Sequence, residues 1–216
     1  VSEITRHNVP ATGRFKVRTT RLPNSQVCLN VEPITFRELW KNYVGGSPHL
    51  NQNYKNQCAI RLSVTLHRVG VSMKSFSQKY VPKMPGKKTL GRDLLDGKPV
   101  ALRAYEMATW LKQERPFCGL PAEPRNITGE NWEAKVRGRT GIIYFYGYWR
   151  QDGDSDGTLT GGHIDLWNGA RLTISSISGA FSTLGRWAGY PSMLSDRSFG
   201  YSNLADSSEI LFWEVK

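Results

Sequence analysis

The sequence predicts an α+β domain in which N-terminal helices pack on an antiparallel sheet. Three observations carry that expectation. Apolar residues recur at helical spacing through the first half of the 216 residues; beyond about residue 140 the pattern changes to strands; and Asn168-Gly169, a strong hairpin signal, joins two of them. No internal repeat is visible. Apolar residues make up 39% of the chain, with seven Trp, nine Tyr and eight Phe, which excludes a disordered polar polymer.

Residues 1–34 are polar and basic, carry scattered prolines and show no sustained period, so they read as a basic N-terminal arm. The domain is expected over 35–216. Thr35-Phe36-Arg37-Glu38 forms a capping box, in which the Thr and Glu side chains each satisfy a helix-end N–H. Phe36, Leu39, Trp40 and Tyr43 follow at helical spacing and predict a first helix over about 35–44, ended by Gly45-Gly46-Ser47-Pro48. A second helix opens at Cys58, with Ala59, Leu62, Leu66 and Val69 on its apolar face and Gly70 as its stop. Asn56 or Asn53 is expected to cap it.

A Lys/Pro/Gly-rich stretch over 79–92 reads as a loop. Leu102, Tyr105, Ala108 and Leu111 then predict a third helix over 100–113. Gly141 to Trp149 is an unbroken apolar and aromatic run, expected to be a strand buried on both faces. Strands over 162–167 and 171–177 flank Asn168-Gly169, and Glu209 to Val215 is the last strand.

The net charge is +11, with a pI near 9.7. Such a surface prefers polyanions, whether nucleic acid, anionic lipid or an anionic wall polymer. The basic clusters are Arg14 to Arg21, Lys83 to Arg92 and Lys135 to Arg139. No ribonucleoprotein, zinc-finger or helix-turn-helix signature accompanies them, so nucleic acid is not the expected partner. No apolar run reaches the length of a membrane span, and no secretory signal is visible. Val1 suggests a processed or trimmed chain.

Cys58 is the candidate nucleophile. At the first turn of a helix its thiol faces unpaired N–H groups and the positive end of the dipole, and both favour the thiolate. About a hundred residues later His163 lies in Gly161-Gly162-His163-Ile164-Asp165-Leu166-Trp167-Asn168-Gly169, on a strand that runs into the turn. A helix-borne Cys followed by a strand-borne His is the order of papain-like hydrolases. The backbone N–H of Cys58 is the expected oxyanion donor, and Tyr54 a weaker one.

Three cysteines leave an odd count. In an oxidising space Cys28–Cys118 is the natural pair, with Cys58 free; three reduced thiols is the alternative. Asp152, Asp154 and Asp156 resemble the first half of a calcium loop. The twelfth position is His163 where a bidentate Glu is needed, so a solvated loop is the preferred reading. No metal or cofactor is expected.

Three blocks, Asn56-Gln57-Cys58-Ala59-Ile60-Arg61-Leu62-Ser63, Gly138-Arg139-Thr140-Gly141-Ile142-Ile143 and Gly162-His163-Ile164-Asp165-Leu166-Trp167-Asn168, closely resemble the type VI secretion amidase effectors of family four. The resemblance covers about 36–177. It implies an NlpC-type papain-like fold and an antibacterial peptidoglycan amidase that hydrolyses the γ-D-glutamyl–meso-diaminopimelate bond of stem peptides. It also implies delivery by the type VI apparatus, action in the periplasm of a target bacterium and a cognate immunity protein. Cys58 takes the role of nucleophile and His163 that of its base.

The third catalytic position departs from the family pattern, which places an Asp eleven residues past the His. Ile174 stands there. With Asn168-Gly169 as a two-residue turn, Trp167 pairs with Ala170 and Ile174 lies opposite His163. A bulged three-residue loop would bring Ser175 there instead. Asp165, on the same face of the strand as His163, is a second substitute. A backbone carbonyl or water is the third. Two further readings of function remain open from the sequence: a catalytically silent binder of anionic polymer or nucleic acid, and a papain-like enzyme acting on another amide.

Overall fold

The computed structural model describes residues 17–18, 26–27, 32–51, 53–54, 56–150, 159–173 and 204–216. Within the basic arm, β1 (Val17–Arg18) pairs antiparallel with β2 (Gln26–Val27). The capping box forms as expected. Thr35 N–H donates to Glu38 Oε2 at 2.8 Å, Glu38 N–H donates to Thr35 Oγ1 at 3.3 Å, and α1 (Phe36–Lys41) follows. Its buried residues are Phe36 and Leu39.

The second helix, α2 (Cys58–Arg68), begins at Cys58 itself, and Gly70 follows its end with φ +85°. Neither Asn56 nor Asn53 caps it. The N-cap is Gln57, and its side chain makes no capping hydrogen bond. The Gln57 amide bonds elsewhere, its Oε1 accepting the His49 N–H and its Nε2 donating to the His49 carbonyl, each at 2.9 Å. It thereby ties the connecting loop to the residue before Cys58.

The expected helix over 100–113 starts later. Lys98–Ala101 is a strand, β4, paired with β3 (Arg92–Leu95) across Asp96 and Gly97, whose φ values of 50° and 72° make a tight hairpin turn. The helix proper, α3, covers Ala104–Glu114. The Ala101 N–H donates to Ser63 Oγ at 3.0 Å, and His67 Nε2 meets the Pro99 carbonyl at 2.7 Å, so this hairpin is held against α2.

The main sheet has four antiparallel strands in the order β5-β8-β6-β7, from β5 (Arg125–Asn126), β8 (Glu209–Glu214), β6 (Gly141–Trp149) and β7 (Gly161–Trp167). The apolar run of β6 is buried on both faces, as its composition requires. Ile142 and Tyr144 join the core beneath α2 and α3, while Ile143 and Phe145 pack with Trp132 and Val136 of a short helix, α4 (Trp132–Val136). Gly141 permits the closest approach in the sheet, since a Cβ there would lie 2.0 Å from the Trp213 carbonyl oxygen.

The turn after β7 differs from both expected forms. Trp167 pairs with Leu172, not with Ala170, and Thr173 N–H donates to the Leu166 carbonyl at 3.2 Å. Asn168 sets this longer loop: its Oδ1 accepts from the N–H groups of Ala170 and Arg171, and its own N–H donates to the Arg171 carbonyl. The register that placed Ile174 or Ser175 opposite His163 is therefore not the one that starts at the turn. Ile174 and Ser175 themselves lie outside the described residues, as do Asp152, Asp154 and Asp156.

Candidate active site

The N-terminus of α2 packs across β7, which is the outer strand of the sheet. This brings the two sequence-predicted groups together. The Cys58 thiol and the His163 imidazole lie within hydrogen-bonding reach of each other. Cys58 is 7% exposed, while the His163 side chain is 23% exposed and so open to a ligand. The remaining geometry follows from strand alternation, because His163 and Asp165 leave β7 on one face. His163 Nε2 is 3.4 Å from Asp165 Oδ2.

The electrostatics favour an ion pair. Burial alone would push the Cys58 thiol up. The hydrogen bond and charge of His163, the Ile164 backbone N–H and the Arg61 guanidinium outweigh it and bring the thiol below its ordinary value. Burial likewise opposes a charged His163. Its hydrogen bonds to Asp165 and Cys58 outweigh burial and raise the imidazole well above its usual range. Arg61 is itself buried one turn along α2, its Nε donating to the Gly46 carbonyl at 2.6 Å.

Asp165 is buried, and both of its oxygens are used. Oδ1 accepts the Leu166 N–H at 2.8 Å and the Thr173 hydroxyl, and Oδ2 faces His163. Sequence reasoning singled out Asp165 by its face of the strand but missed Thr173, because that contact depends on the loop length after Trp167. The Tyr54 hydroxyl does not face the thiol: it donates to Asp93 Oδ2 at 2.8 Å, and the same carboxylate oxygen lies 3.4 Å from His49 Nε2. Its one proton is committed there and not to an oxyanion.

Cys58 is a free thiol and Cys118 is disulfide-bonded. The other cysteine of the expected pair, Cys28, lies outside the described residues. Among the described residues no cluster of His, Cys, Asp or Glu is arranged to hold a metal ion.

The second sequence block lies beside the third, with Ile143 paired to Asp165 across β6 and β7. Gly138 N–H donates to the Gly169 carbonyl at 2.9 Å, and a Cβ on Gly169 would lie 3.2 Å from the Gly138 Cα, so two glycines let the loops meet just past the end of β7. The Trp167 indole N–H donates to the Val136 carbonyl nearby. Residues 54–213, most of the chain, match the family of type VI secretion system amidase effector protein 4, Tae4. The chain belongs to the Tae4 family.

Among solved structures, this chain is similar to the effector Tae4 from Enterobacter cloacae. Identity is 19% over 86% of this chain and 98% of that one, with a TM-score of 0.48. The Tae4 of a Tae4–Tai4 effector–immunity complex from the same organism gives 20%, 86%, 100% and 0.49. Tae4 in the corresponding Salmonella Typhimurium complex gives 22%, 65%, 86% and 0.43. No curated protein matches the chain.

Proposed function

We propose that this Tae4-family chain is an antibacterial peptidoglycan amidase that works by a Cys58–His163 thiolate mechanism on a papain-like, NlpC-type scaffold spanning 35–216. The observation that carries the reading is the thiol at the first residue of α2, lowered by an imidazole that is itself held by a buried carboxylate. A paired thiolate and imidazolium favour an enzyme over a silent polymer binder.

In this reading the Cys58 thiolate attacks the amide carbonyl carbon. The backbone N–H of Cys58, which has no acceptor within its own helix, donates to the oxyanion. His163 then gives its proton to the departing amine as the C–N bond breaks, leaving a thioester. Water, deprotonated by His163, attacks that thioester, and Cys58 leaves as the thiolate. Asp165 keeps the imidazole in the tautomer and orientation these steps need.

The bond proposed is γ-D-glutamyl–meso-diaminopimelate in stem peptides. The substrate lies in the periplasm of the target cell, and the type VI apparatus would deliver the protein there. The net charge of +11 suits an anionic wall polymer and an acidic immunity protein covering the cleft. Purified sacculi test the activity: the wild type should release soluble fragments, and Cys58→Ala, folded, should release none. Intact sacculi after prolonged wild-type digestion would refute the wall target.

A further inference from the structure

The two oxygens of Asp165 have different partners. Oδ2 faces His163 Nε2, whereas Oδ1 accepts from the Leu166 N–H and from the hydroxyl of Thr173. We propose that Thr173 is a positioning residue of the catalytic site, whose hydroxyl fixes the Asp165 carboxylate plane so that Oδ2 is presented to His163. This rests on the reading of Cys58, His163 and Asp165 given above.

The physical case begins with rotation. The terminal torsion of an Asp side chain is broad, so one hydrogen bond from the adjacent N–H leaves the carboxylate free to swing. A second donor, arriving from the chain on the far side of the hairpin, fixes the plane. Threonine suits this role because its branched Cβ restricts χ1 and its hydroxyl is then aimed. Thr173 is buried, and its backbone is anchored by the bond to Leu166.

The arrangement extends one step further. Thr173 spends its only side-chain proton on Asp165, so its oxygen can take part elsewhere only as an acceptor. The Tyr43 hydroxyl, just past α1, is buried beside it and makes no well-formed hydrogen bond of its own among the described residues. Polar groups thus run from Tyr43 through Thr173 and Asp165 to His163 and Cys58. Among the described residues, the other charged group facing them is Arg61 from α2. From β6, Phe145 stands opposite His163 and is uncharged.

The test is the pH profile of kcat/KM on muropeptides for Thr173→Val and Thr173→Ser, with melting curves to confirm folding. Thr173→Val should lose about tenfold in kcat/KM, the scale of one hydrogen bond to a charged group. Its alkaline limb should move to lower pH, because a swinging Asp165 stabilises the imidazolium less. Thr173→Ser keeps the hydroxyl and should restore both. If Thr173→Val does not fold, Thr173→Ala against Thr173→Ser reads the same limb.

An unmoved alkaline limb in the hydroxyl-free variant overturns the proposal, whatever its activity, and assigns Thr173 to packing. So does an equal loss in the Ser variant. An inactive Cys58→Ala beside either of these results leaves the catalytic reading standing. An active Cys58→Ala overturns that reading itself.

Discussion

Asp165 Oδ2 lies 3.4 Å from His163 Nε2, two residues along the same face of one strand. In the mechanism proposed here, this local i, i+2 pair supplies what a triad needs, an acceptor for one imidazole nitrogen. The contact is long for a hydrogen bond to a charged group, and such bonds tighten when substrate displaces water from the cleft.

Asp165→Asn is expected to keep the fold and lower kcat by tenfold to roughly a thousandfold. That is less than the roughly ten-thousandfold seen for the Asp of a serine triad, because a Cys thiolate is already a good nucleophile near neutral pH. An unchanged turnover in Asp165→Asn would remove Asp165 from the site.

The pH dependence follows from the two shifts. The thiol is lowered and the imidazole raised, so thiolate and imidazolium coexist between an acid limit set by Cys58 and an alkaline limit set by His163. Alkylation of Cys58 by iodoacetamide should rise with pH through a value below the ordinary thiol range. His163→Ala should return that midpoint upward. A wild-type midpoint at the ordinary thiol value would contradict the ion pair.

Much of this was legible in the sequence, and for identifiable reasons. The capping box at Thr35 and Glu38 is a local signal and forms as read. The unbroken apolar run of β6 announced a strand with two covered faces. Cys58 and His163, which the structure brings together, are legible as candidates because their placement depends on element type, the start of a helix and a strand. The hairpin from β3 to β4 was obscured by the helical spacing of Leu102 onward, although Asp96-Gly97 is a strong turn pair.

The role of Gln57 was hidden for another reason. Its amide is spent on the His49 backbone, eight residues away, and local capping rules do not foresee such a bond. Register after Asn168 failed similarly. Asn168 bonds two successive N–H groups and opens a longer loop, and that brings Thr173 to Asp165.

Gly141→Ala tests the sheet that carries β7. The added methyl would meet the Trp213 carbonyl oxygen, so β6 and β8 must separate or shift. A loss of about 1–3 kcal/mol is expected in urea unfolding, the usual cost of overpacking. A variant as stable as the wild type would show that the strands adjust freely.

Glu106 on α3, a helix that packs on β7, tests the scaffold. Fully buried, it accepts from the Met84 and Gly91 N–H groups and pairs with Arg103 at 2.8 Å. Glu106→Ala leaves two buried donors unsatisfied, while Arg103 keeps its bond to the Thr89 carbonyl, and should cost about 3 kcal/mol. An unfolding midpoint within error of the wild type would show that water replaces the carboxylate.

The most direct measurement is mass spectrometry of a purified disaccharide tetrapeptide containing meso-diaminopimelate, incubated with the wild-type protein. The Cys58–His163 mechanism predicts two products: a disaccharide–L-alanyl–D-glutamate bearing a free γ-carboxyl group, and a diaminopimelyl–D-alanine dipeptide with a new amine, neither formed by Cys58→Ala. Cleavage at any other bond, a mass change of deamidation alone, or the same two products from Cys58→Ala would contradict it.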